Sequence, residues 1–440
     1  MELQRRGFLK MSLPFATAAA GWTGSPAATS AATSSAEVKG EPEPDGKARR
    51  RMLEHRWLSL LGEFPTQTPE LRPRIKEVAR ENGLTRYHVS FQAESDDRVT
   101  AWLLVPDEAK RRPLPAVICI HSTTFGSGKD STIGLAGRRP GDPPRDPEIG
   151  AAYGLDLARH GFVTLSIDLL TDGERIAPNE RVMDTRGFYL KHPEWSIVGK
   201  NTWDAMRSVD FLQTLDFVDH HHIGVMGWSL GGHSALFAGA FDQRIAATVS
   251  NGGVLHWHRH VNAWSRRPVS WQPWKKGVDA PTSSKRLEDR FGFKTNSGPY
   301  IYIKKFRPYI DNPDLEIPVD FDDLMMMVAP RPLMILSTEH EFARHHVLPK
   351  CYRALRAYLE WNDPERVLQS RQQRSSINDT YHYYQAQHNQ SPSKVDSILK
   401  QLSPADGFGW FSFPGGHGLP DVARRYTFAW LDRWLDRLLP

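Results

Sequence analysis

The sequence has little cysteine: Cys119 and Cys351 are the two in 440 residues. Two cysteines cannot form the disulfide framework of a small secreted domain. Cys119 lies inside the apolar run PAVICI, and Cys351 lies in a stretch with helical periodicity. Because buried cysteine commonly behaves as a small hydrophobic residue, we expect two buried, unpaired thiols.

Long hydrophobic runs and a strong charge of one sign are also missing. Beyond the first residues, no segment has the ~18 uninterrupted apolar residues that a transmembrane helix needs, so we expect no membrane span. The 56 Lys and Arg residues outnumber the 51 Asp and Glu residues by a net charge of only +5, and the basic residues are scattered. A nucleic-acid partner is therefore not expected.

The N-terminus has the composition of an export signal. The charged segment MELQRRGFLK is followed by the short apolar segment MSLPFATAAAGW and by small residues up to about Ala36. Arg5-Arg6 resembles the pair of a twin-arginine signal, although Gln4 stands where that signal prefers Ser or Thr. We expect an export signal over residues 1–36, the twin-arginine export machinery as a partner in transit, and a periplasmic or secreted bacterial protein.

Strands and helices alternate along most of the remaining chain. Residues 37–83 are expected to be a linker and an N-terminal helical segment, and residues 84–440 are expected to be the main domain. TRYHVSF and RVTAWLLV predict a hairpin. After it, strands that are apolar throughout, such as PAVICI, GFVTLSID and RPLMIL, alternate with helical segments. This pattern is typical of an α/β fold with a mostly parallel central sheet, helices on both faces and, here, an antiparallel N-terminal edge.

Two segments interrupt the alternation. Residues 254–325 are rich in Trp, His and basic residues, and residues 362–406 are rich in Gln, Ser and Asn. We expect both to be insertions over the carboxyl ends of the strands, where ligands bind in such sheets.

A G-x-S-x-G motif lies between a predicted strand and a predicted helix, at GWSLG, residues 227–231. A serine on so sharp a turn has its hydroxyl exposed, and glycine is needed two residues before and after it because a side chain would clash. This is the nucleophile turn of the α/β-hydrolase fold. The motif therefore predicts that fold, with Ser229 as the nucleophile.

Such a hydrolase also needs two backbone N–H groups that bind the developing oxyanion. One donor is expected from Leu230, directly after the nucleophile. The other is expected from the loop after an earlier strand, where PAVICI runs into HSTTFG. Thr123 is the predicted second donor, and Ser122 is the close alternative.

The serine needs a base, and the base needs an acid partner. In this fold the triad follows the chain order Ser, acid, His. His417 lies in the glycine-rich loop PGGHG after the last strand, FGWFSF, and is the predicted base. The acid should follow the strand RPLMIL, where Glu339 and Glu341 both remain candidates.

Several of these stretches resemble one branch of the α/β-hydrolases. GWSLGGHSALFAGAFDQRIAATVSNGG, VAPRPLMIL and FPGGHGLPDVARRYTFAWLDRWL are similar to the dienelactone hydrolase-like and acetyl xylan esterase-like branch, over about residues 84–440 without the two insertions. IDLLTDGER, which contains Asp168 and Arg175, resembles that branch's Asp…Gly-Glu-Arg segment. The resemblance implies an esterase without a cofactor. True dienelactone hydrolases use a cysteine where Ser229 stands, so no dienelactone substrate is implied.

The resemblance also favours one of the two glutamates. In relatives the acid commonly falls nine residues after the Pro of an Arg-Pro pair, and the residue nine after Pro332 is Glu341. Glu341 is therefore preferred to Glu339, although most relatives have Asp at this place. Many relatives carry His-Gly-Gly in the loop after the earlier strand, whereas this chain has His-Ser-Thr.

Two residue clusters invite other interpretations. The histidines at 220–222 and at 256, 258 and 260 lack Cys or carboxylate neighbours in a recognised zinc arrangement, so no metal is expected. The tryptophans at 257, 264, 271 and 274 form either an aromatic wall over the active site or a satellite hydrophobic cluster. Trp257 and Trp264, together with Trp228 beside the nucleophile, are the candidate substrate-binding residues.

The sequence therefore predicts an exported serine hydrolase that cleaves carboxylic esters through an acyl-enzyme. Its substrate would be a small-molecule or carbohydrate ester, with a carbohydrate or aryl ester deacylase as the favoured type. A prolyl oligopeptidase-like peptidase shares the triad order, but the stretch before the fold is too short for the propeller domain of such enzymes. A non-catalytic binding protein on the same scaffold is disfavoured because Ser229, His417 and a nearby glutamate are all present.

Overall fold

The described chain contains one mixed β-sheet. A computed structural model describes residues 46–143, 152–178, 180–255, 300–312, 314–362, 407–413 and 415–436. Within these ranges the strands are β1 Arg74–Glu81, β2 Leu84–Glu94, β3 Asp97–Pro106, β4 Leu114–Ile120, β5 Val163–Ile167, β6 Val218–Trp228, β7 Ala247–Asn251, β8 Leu333–Thr338 and β9 Phe408–Phe413.

Helices connect most of the strands. Those in the described ranges are α1 Gly46–Leu61, α2 Tyr153–His160, α3 Arg186–Lys191, α4 Ile197–Leu212, α5 Leu230–Phe241, α6 Arg307–Asp311, α7 Phe321–Val328, α8 Glu339–Arg344, α9 Val347–Asn362 and α10 Asp421–Trp434. Short 3₁₀ helices cover Asp107–Lys110, Gly128–Ile133, Gly173–Arg175 and Lys304–Phe306.

The strand order is β1-β2-β3-β5-β4-β6-β7-β8-β9. β1, β2, β3 and β5 pair in antiparallel fashion, and every pair from β5 across to β9 is parallel. This confirms the predicted mostly parallel sheet with an antiparallel N-terminal edge. Because β4 to β9 are parallel, the loops that leave their carboxyl ends all lie along one edge of the sheet.

Both faces of the sheet are covered, which explains why its central strands are apolar throughout. Every residue of β4, β5, β7 and β8 is buried. Along β4, Ile118 packs into a core shared with α1, α4, α5 and α7, whereas Cys119 packs into a second core shared with α2 and α10. Successive side chains of a strand point to opposite faces, so a strand between two cores needs an apolar residue at each position.

Two features differ from the predicted boundaries. The sheet begins at Arg74 with β1, an edge strand before residue 84 that the sequence pattern did not indicate. The helical segment before it, α1, is also part of the core, since Trp57 is fully buried and packs edge-on against Phe237 of α5. α1 is part of the core because it covers one face of the sheet.

The segment 254–325 is also only partly an insertion. Residues 256–299 lie outside the described residues. Residues 300–312 contribute buried core side chains such as Ile303 and Phe306, and Leu324 of α7 is buried in the same core. The second expected insertion, 362–406, lies outside the described residues apart from Asn362, the last residue of α9.

The two cysteines are free and fully buried, as expected. Burial raises the pKa of both thiols well above its ordinary value, so neither is a nucleophile at neutral pH. None of the helices described here is both long and apolar enough to cross a membrane. The expected export signal, residues 1–36, lies outside the described residues.

Candidate active site

Ser229 lies on a strained turn between β6 and α5. Its backbone has φ 59° and ψ −115°, which is rare for a residue with a side chain. A Cβ on Gly227 would overlap the carbonyl oxygen of Gly231, and a Cβ on Gly231 would overlap that of Ile120. The N–H of Ser229 donates to the carbonyl oxygen of Asn251, 2.8 Å away at the end of β7. Glycine is therefore needed at both motif positions for the turn to pack against its neighbours.

The two predicted oxyanion donors lie at the same edge of the sheet as this turn. Leu230 is the first residue of α5, so its N–H has no acceptor within the helix. Ile120 pairs with Gly227 across β4 and β6, and the loop after β4 therefore starts beside the nucleophile turn. In that loop Ser122 is buried and Thr123 is half-buried. Leu230 and Thr123 thus lie in segments that leave the carboxyl ends of neighbouring strands, and their role as oxyanion donors stays a prediction.

His121 begins this loop, but its ring is engaged in holding the backbone. Its Nε2 accepts a hydrogen bond from the N–H of Leu169 at 3.0 Å, so the proton lies on Nδ1, which donates to the carbonyl oxygen of Ser122 at 2.7 Å. The side chain is fully buried. With both ring nitrogens in use, His121 cannot serve as the general base.

His417 and Glu341 are brought into direct contact. Nδ1 of His417 lies 2.6 Å from Oε1 of Glu341, and the side chains are 42% and 19% exposed, so the imidazole is accessible while the carboxylate is mostly shielded. His417 lies in the loop between β9 and α10, and Glu341 lies in the first turn of α8 directly after β8. A loop and the start of a helix, both at the carboxyl edge of the sheet, therefore supply the pair.

The position of Glu341 in α8 explains why this glutamate, rather than Glu339, meets the histidine. Glu341 forms a capping box with Thr338, in which each side chain accepts from the other residue's N–H. Its Oε2 also accepts from the hydroxyl of Ser337 at 2.6 Å. Glu339, the first residue of α8, is exposed. The carboxylate of Glu341 is thus fixed by three partners, and Ser337 and Thr338 are supports that the sequence analysis missed.

These contacts also set the charge of Glu341. Burial alone would raise the pKa of this carboxyl, but the hydrogen bonds and charge of His417, together with Ser337 and Thr338, outweigh it and lower the pKa from 4.5 to about 2. The carboxylate is therefore ionised at neutral pH, as is required to stabilise an imidazolium.

A second support missed by the sequence analysis is the end of β7. The side-chain Nδ2 of Asn251 donates to the carbonyl oxygen of Gly418 at 2.9 Å, and the backbone carbonyl oxygen of Asn251 accepts from the N–H of Ser229. At the next residue, Gly252, an added Cβ would lie 3.0 Å from Cε1 of His417. Asn251 and Gly252 thus connect the nucleophile turn to the histidine loop. The one signal in the sequence is a polar residue ending the buried strand IAATVSN.

Trp228, the third candidate substrate-binding residue, is buried beside His417. Its side chain is 2% exposed and belongs to the core shared with α2 and α10. Its ring lies 5.2 Å from that of His417. Trp228 thus packs beside the imidazole, because the residue before the nucleophile is still part of a buried strand, and its expected contact with substrate stays a prediction.

The other singled-out clusters are described only in part. Trp257 and Trp264 lie outside the described residues, as do the histidines at 256, 258 and 260. His222 contacts Asp219 and Asp436. The described part of the chain contains no group of three or more His, Cys, Asp or Glu side chains arranged to hold a metal ion.

Comparison with known proteins shows that part of this chain is similar to esterases. Residues 187–362, less than half of the chain, match the family described as glucuronyl esterase of fungi. A carbohydrate esterase from an unknown prokaryotic organism is 28% identical over 158 residues, which are 35% of this chain and 30% of that protein. The matched region thus spans less than a third of that relative's length.

Solved structures agree on the fold. A glucuronoyl esterase from Solibacter usitatus superposes with a TM-score of 0.56 at 18% identity, covering 92% of this chain and 96% of that one. A protein assigned as an acetyl xylan esterase, from Bacteroides fragilis NCTC 9343, superposes with a TM-score of 0.51 at 20% identity, covering 73% and 75%. The chain has the α/β-hydrolase fold, and its predicted resemblance to acetyl xylan esterase-like members of that fold is confirmed.

Proposed function

We propose that this protein is a carboxylic ester hydrolase that works through an acyl-enzyme on Ser229. The observation that carries the proposal is the contact of 2.6 Å between His417 and Glu341, at the same edge of the sheet as the strained nucleophile turn. A hydrolase of the Ser–His–acid type uses a nucleophile, a base and an ionised carboxylate that orients the base.

In this mechanism the hydroxyl oxygen of Ser229 attacks the ester carbonyl carbon while Nε2 of His417 takes the hydroxyl proton. The N–H groups of Leu230 and Thr123 hold the oxyanion of the tetrahedral intermediate. His417 then gives its proton to the leaving alcohol as the C–O bond breaks, which leaves an acyl-serine. A water molecule, deprotonated by His417, then attacks the acyl carbon. The bond from that carbon to Oγ of Ser229 breaks, His417 returns the proton to Oγ, and the acid is released. Glu341 keeps the Nδ1–H tautomer and stabilises the imidazolium in both halves.

Carbohydrate esters are the proposed substrate class. The support is the match of residues 187–362 to glucuronyl esterases and the likeness to a carbohydrate esterase. The same site chemistry serves a uronic acid ester, with the sugar on the acyl side, or an acetylated sugar, with the sugar on the alcohol side. Methyl uronates, acetylated sugars and aryl esters therefore form the discriminating substrate panel.

Covalent labelling tests the nucleophile. Wild-type protein should react with a fluorophosphonate at Ser229 and hydrolyse p-nitrophenyl acetate. Ser229→Ala should lose the label and about 10⁴–10⁶ of the rate, because triad members act as a unit. Ser234→Ala is a matched control, since the Ser234 hydroxyl is buried in α5 and donates to the helix carbonyl of Leu230. If Ser229→Ala kept more than a tenth of the activity, the nucleophile would lie elsewhere.

The same experiment separates the competing functions. A non-catalytic binding protein would show no label and no turnover in the wild type. A prolyl oligopeptidase-like peptidase would be labelled but would cleave prolyl peptides faster than any ester in the panel. Labelling with preferred turnover of a sugar ester supports the proposal.

Export is a separate part of the proposal, and it is supported by the composition of residues 1–36. Changing Arg5 and Arg6 together to Lys should leave the protein in the cytoplasm of a bacterial host, whereas the wild type should reach the periplasm. Changing Arg49 and Arg51 to Lys alters two other basic residues, in α1, without touching the signal. Equal export of all three proteins would contradict a twin-arginine signal.

A further inference from the structure

The segment from Asp168 to Arg175, singled out in the sequence by its Asp…Gly-Glu-Arg pattern, has no part in the triad. It leaves the carboxyl end of β5, and β5 is the parallel neighbour of β4. The loop after β4, residues 121–129, contains the predicted oxyanion donor Thr123. The two segments therefore lie side by side at the edge where the active site is.

Asp172 forms hydrogen bonds to the middle of the loop after β4. Its Oδ2 accepts from the hydroxyl of Thr124 at 2.6 Å, and its Oδ1 accepts from the N–H of Gly126 at 2.9 Å. The Thr124 hydroxyl in turn accepts from the N–H of Gly128 at 2.8 Å. Asp172 is 2% exposed and Thr124 is 1% exposed, so water does not compete for these bonds.

Asp168 binds the last residue of the same loop, Lys129. Its Oδ1 accepts from the N–H of Lys129 at 2.8 Å, and its Oδ2 forms an ion pair with Nζ of Lys129 at 2.7 Å. Gly128 and Gly173, both with positive φ, approach this carboxylate so closely that a Cβ on either would overlap it. The near end is held by His121, whose Nε2 accepts from the N–H of Leu169.

We infer that Asp172, through Thr124, is a positioning residue for the oxyanion hole. The loop is held by the same neighbouring segment at residue 121, at residues 124 and 126, and at residue 129, and Thr123 lies between the first two of these anchors. Oxyanion donors are effective because they are already oriented when charge develops, so an anchor next to the donor is expected to act on the transition state more than on substrate binding. This inference rests on the proposed ester hydrolysis.

The pair Thr124→Val and Thr124→Ser tests it. Valine keeps the shape of threonine but removes both hydrogen bonds of the hydroxyl, whereas serine keeps the hydroxyl. Thr124→Val should lower kcat by about 10²-fold, the size expected for a misplaced reacting geometry or a lost oxyanion donor, with KM changed less than about threefold. Thr124→Ser should stay within about threefold of wild type in kcat, which is rescue by the conservative variant.

Thr427→Val is the matched control for removing a buried threonine hydroxyl. Thr427 is fully buried, and its hydroxyl donates to the carbonyl of Ala423 within α10, outside the proposed anchors. It should keep wild-type kcat even if its melting temperature falls. Rates are normalised to the fraction of sites labelled by a fluorophosphonate, so loss of folded protein does not count as loss of catalysis.

The affinity of a boronic acid inhibitor is a second measurement, which would not change if Thr124 had a merely structural role. Its tetrahedral adduct on Ser229 places an oxygen in the oxyanion hole, so its affinity should fall in Thr124→Val in parallel with kcat, while the affinity of the product acid stays constant. The inference would be overturned if Thr124→Val kept the kcat and the boronate affinity of wild type. It would also be overturned if Thr124→Ser lost as much of both as Thr124→Val. Failure of the wild type itself to be labelled or to hydrolyse esters would overturn the proposed function instead.

Discussion

The exchange Glu341→Gln tests the assignment of the acid most directly. Oε2 of Glu341 faces two donors, the hydroxyl of Ser337 and the N–H of Thr338, while Oε1 faces Nδ1 of His417. A glutamine satisfies the two donors only if its amide oxygen takes the Oε2 place, which turns its NH₂ group towards His417. Nδ1 must then accept, so the imidazole proton moves to Nε2, and this tautomer cannot deprotonate Ser229.

The expected loss in kcat is about 10⁴-fold, as for a triad acid changed to its amide, which corresponds to about 5 kcal/mol of barrier. Glu339→Gln is the matched control: it makes the same change two residues earlier in the same helix, at an exposed position, and should lose less than about threefold. The assay is p-nitrophenyl acetate hydrolysis normalised to labelled sites, with circular dichroism to verify folding. The reverse ranking would assign the acid to Glu339, and a loss below tenfold in both variants would refute the tautomer argument.

Three further predictions follow from the site. The pKa of Glu341 lies below its ordinary 4.5, at about 2, so its ion pair should stabilise the fold above about pH 4.5 and lose that effect as pH falls towards about 2. Because the histidine is 42% exposed, the free energy of unfolding of wild type should exceed that of Glu341→Gln by only about 1–2 kcal/mol at pH 6, measured from the melting temperatures. A difference that persists at the lowest pH would contradict this prediction. Asn251→Leu should leave the Gly418 carbonyl without its donor, lowering stability by about 1–3 kcal/mol and kcat by at least about tenfold at unchanged KM; unaltered kcat would remove Asn251 from the site's support. Trp257→Ala, outside the described residues, should raise KM several-fold for a bulky sugar or aryl ester and leave small acetate esters almost unchanged, whereas equal losses with a lower melting temperature would make this tryptophan core.

The parts of the fold that depend on local pattern were predictable. Strands buried on both faces have no polar positions, and PAVICI and RPLMIL show this directly, so the parallel sheet and its helices followed from the sequence. β1 was not predicted because RIKEVARE alternates little, and seven of its eight residues are exposed at the edge of the sheet. α1 was predicted as a helix but not as core, since its sequence does not show that Trp57 packs against Phe237 of α5.

In the site, too, the residues with a local sequence signal were predicted and those without one were not. Ser229 and His417 were identified because glycines with special backbone demands lie around them in sequence, and Glu341 because it follows a recognisable strand. Their supports gave no such signal: Asp172 bonds Gly126 46 residues away, and Asn251 bonds Gly418 167 residues away. The sequence did contain polar residues at the ends of otherwise apolar strands, Asp168 after β5 and Asn251 at the end of β7. In a sheet buried on both faces such a residue must find a buried partner, and along the carboxyl edge the available partners are the backbones of the active-site loops. A polar residue that ends an apolar parallel strand is therefore evidence for a loop anchor, even where its partner cannot be named from the sequence.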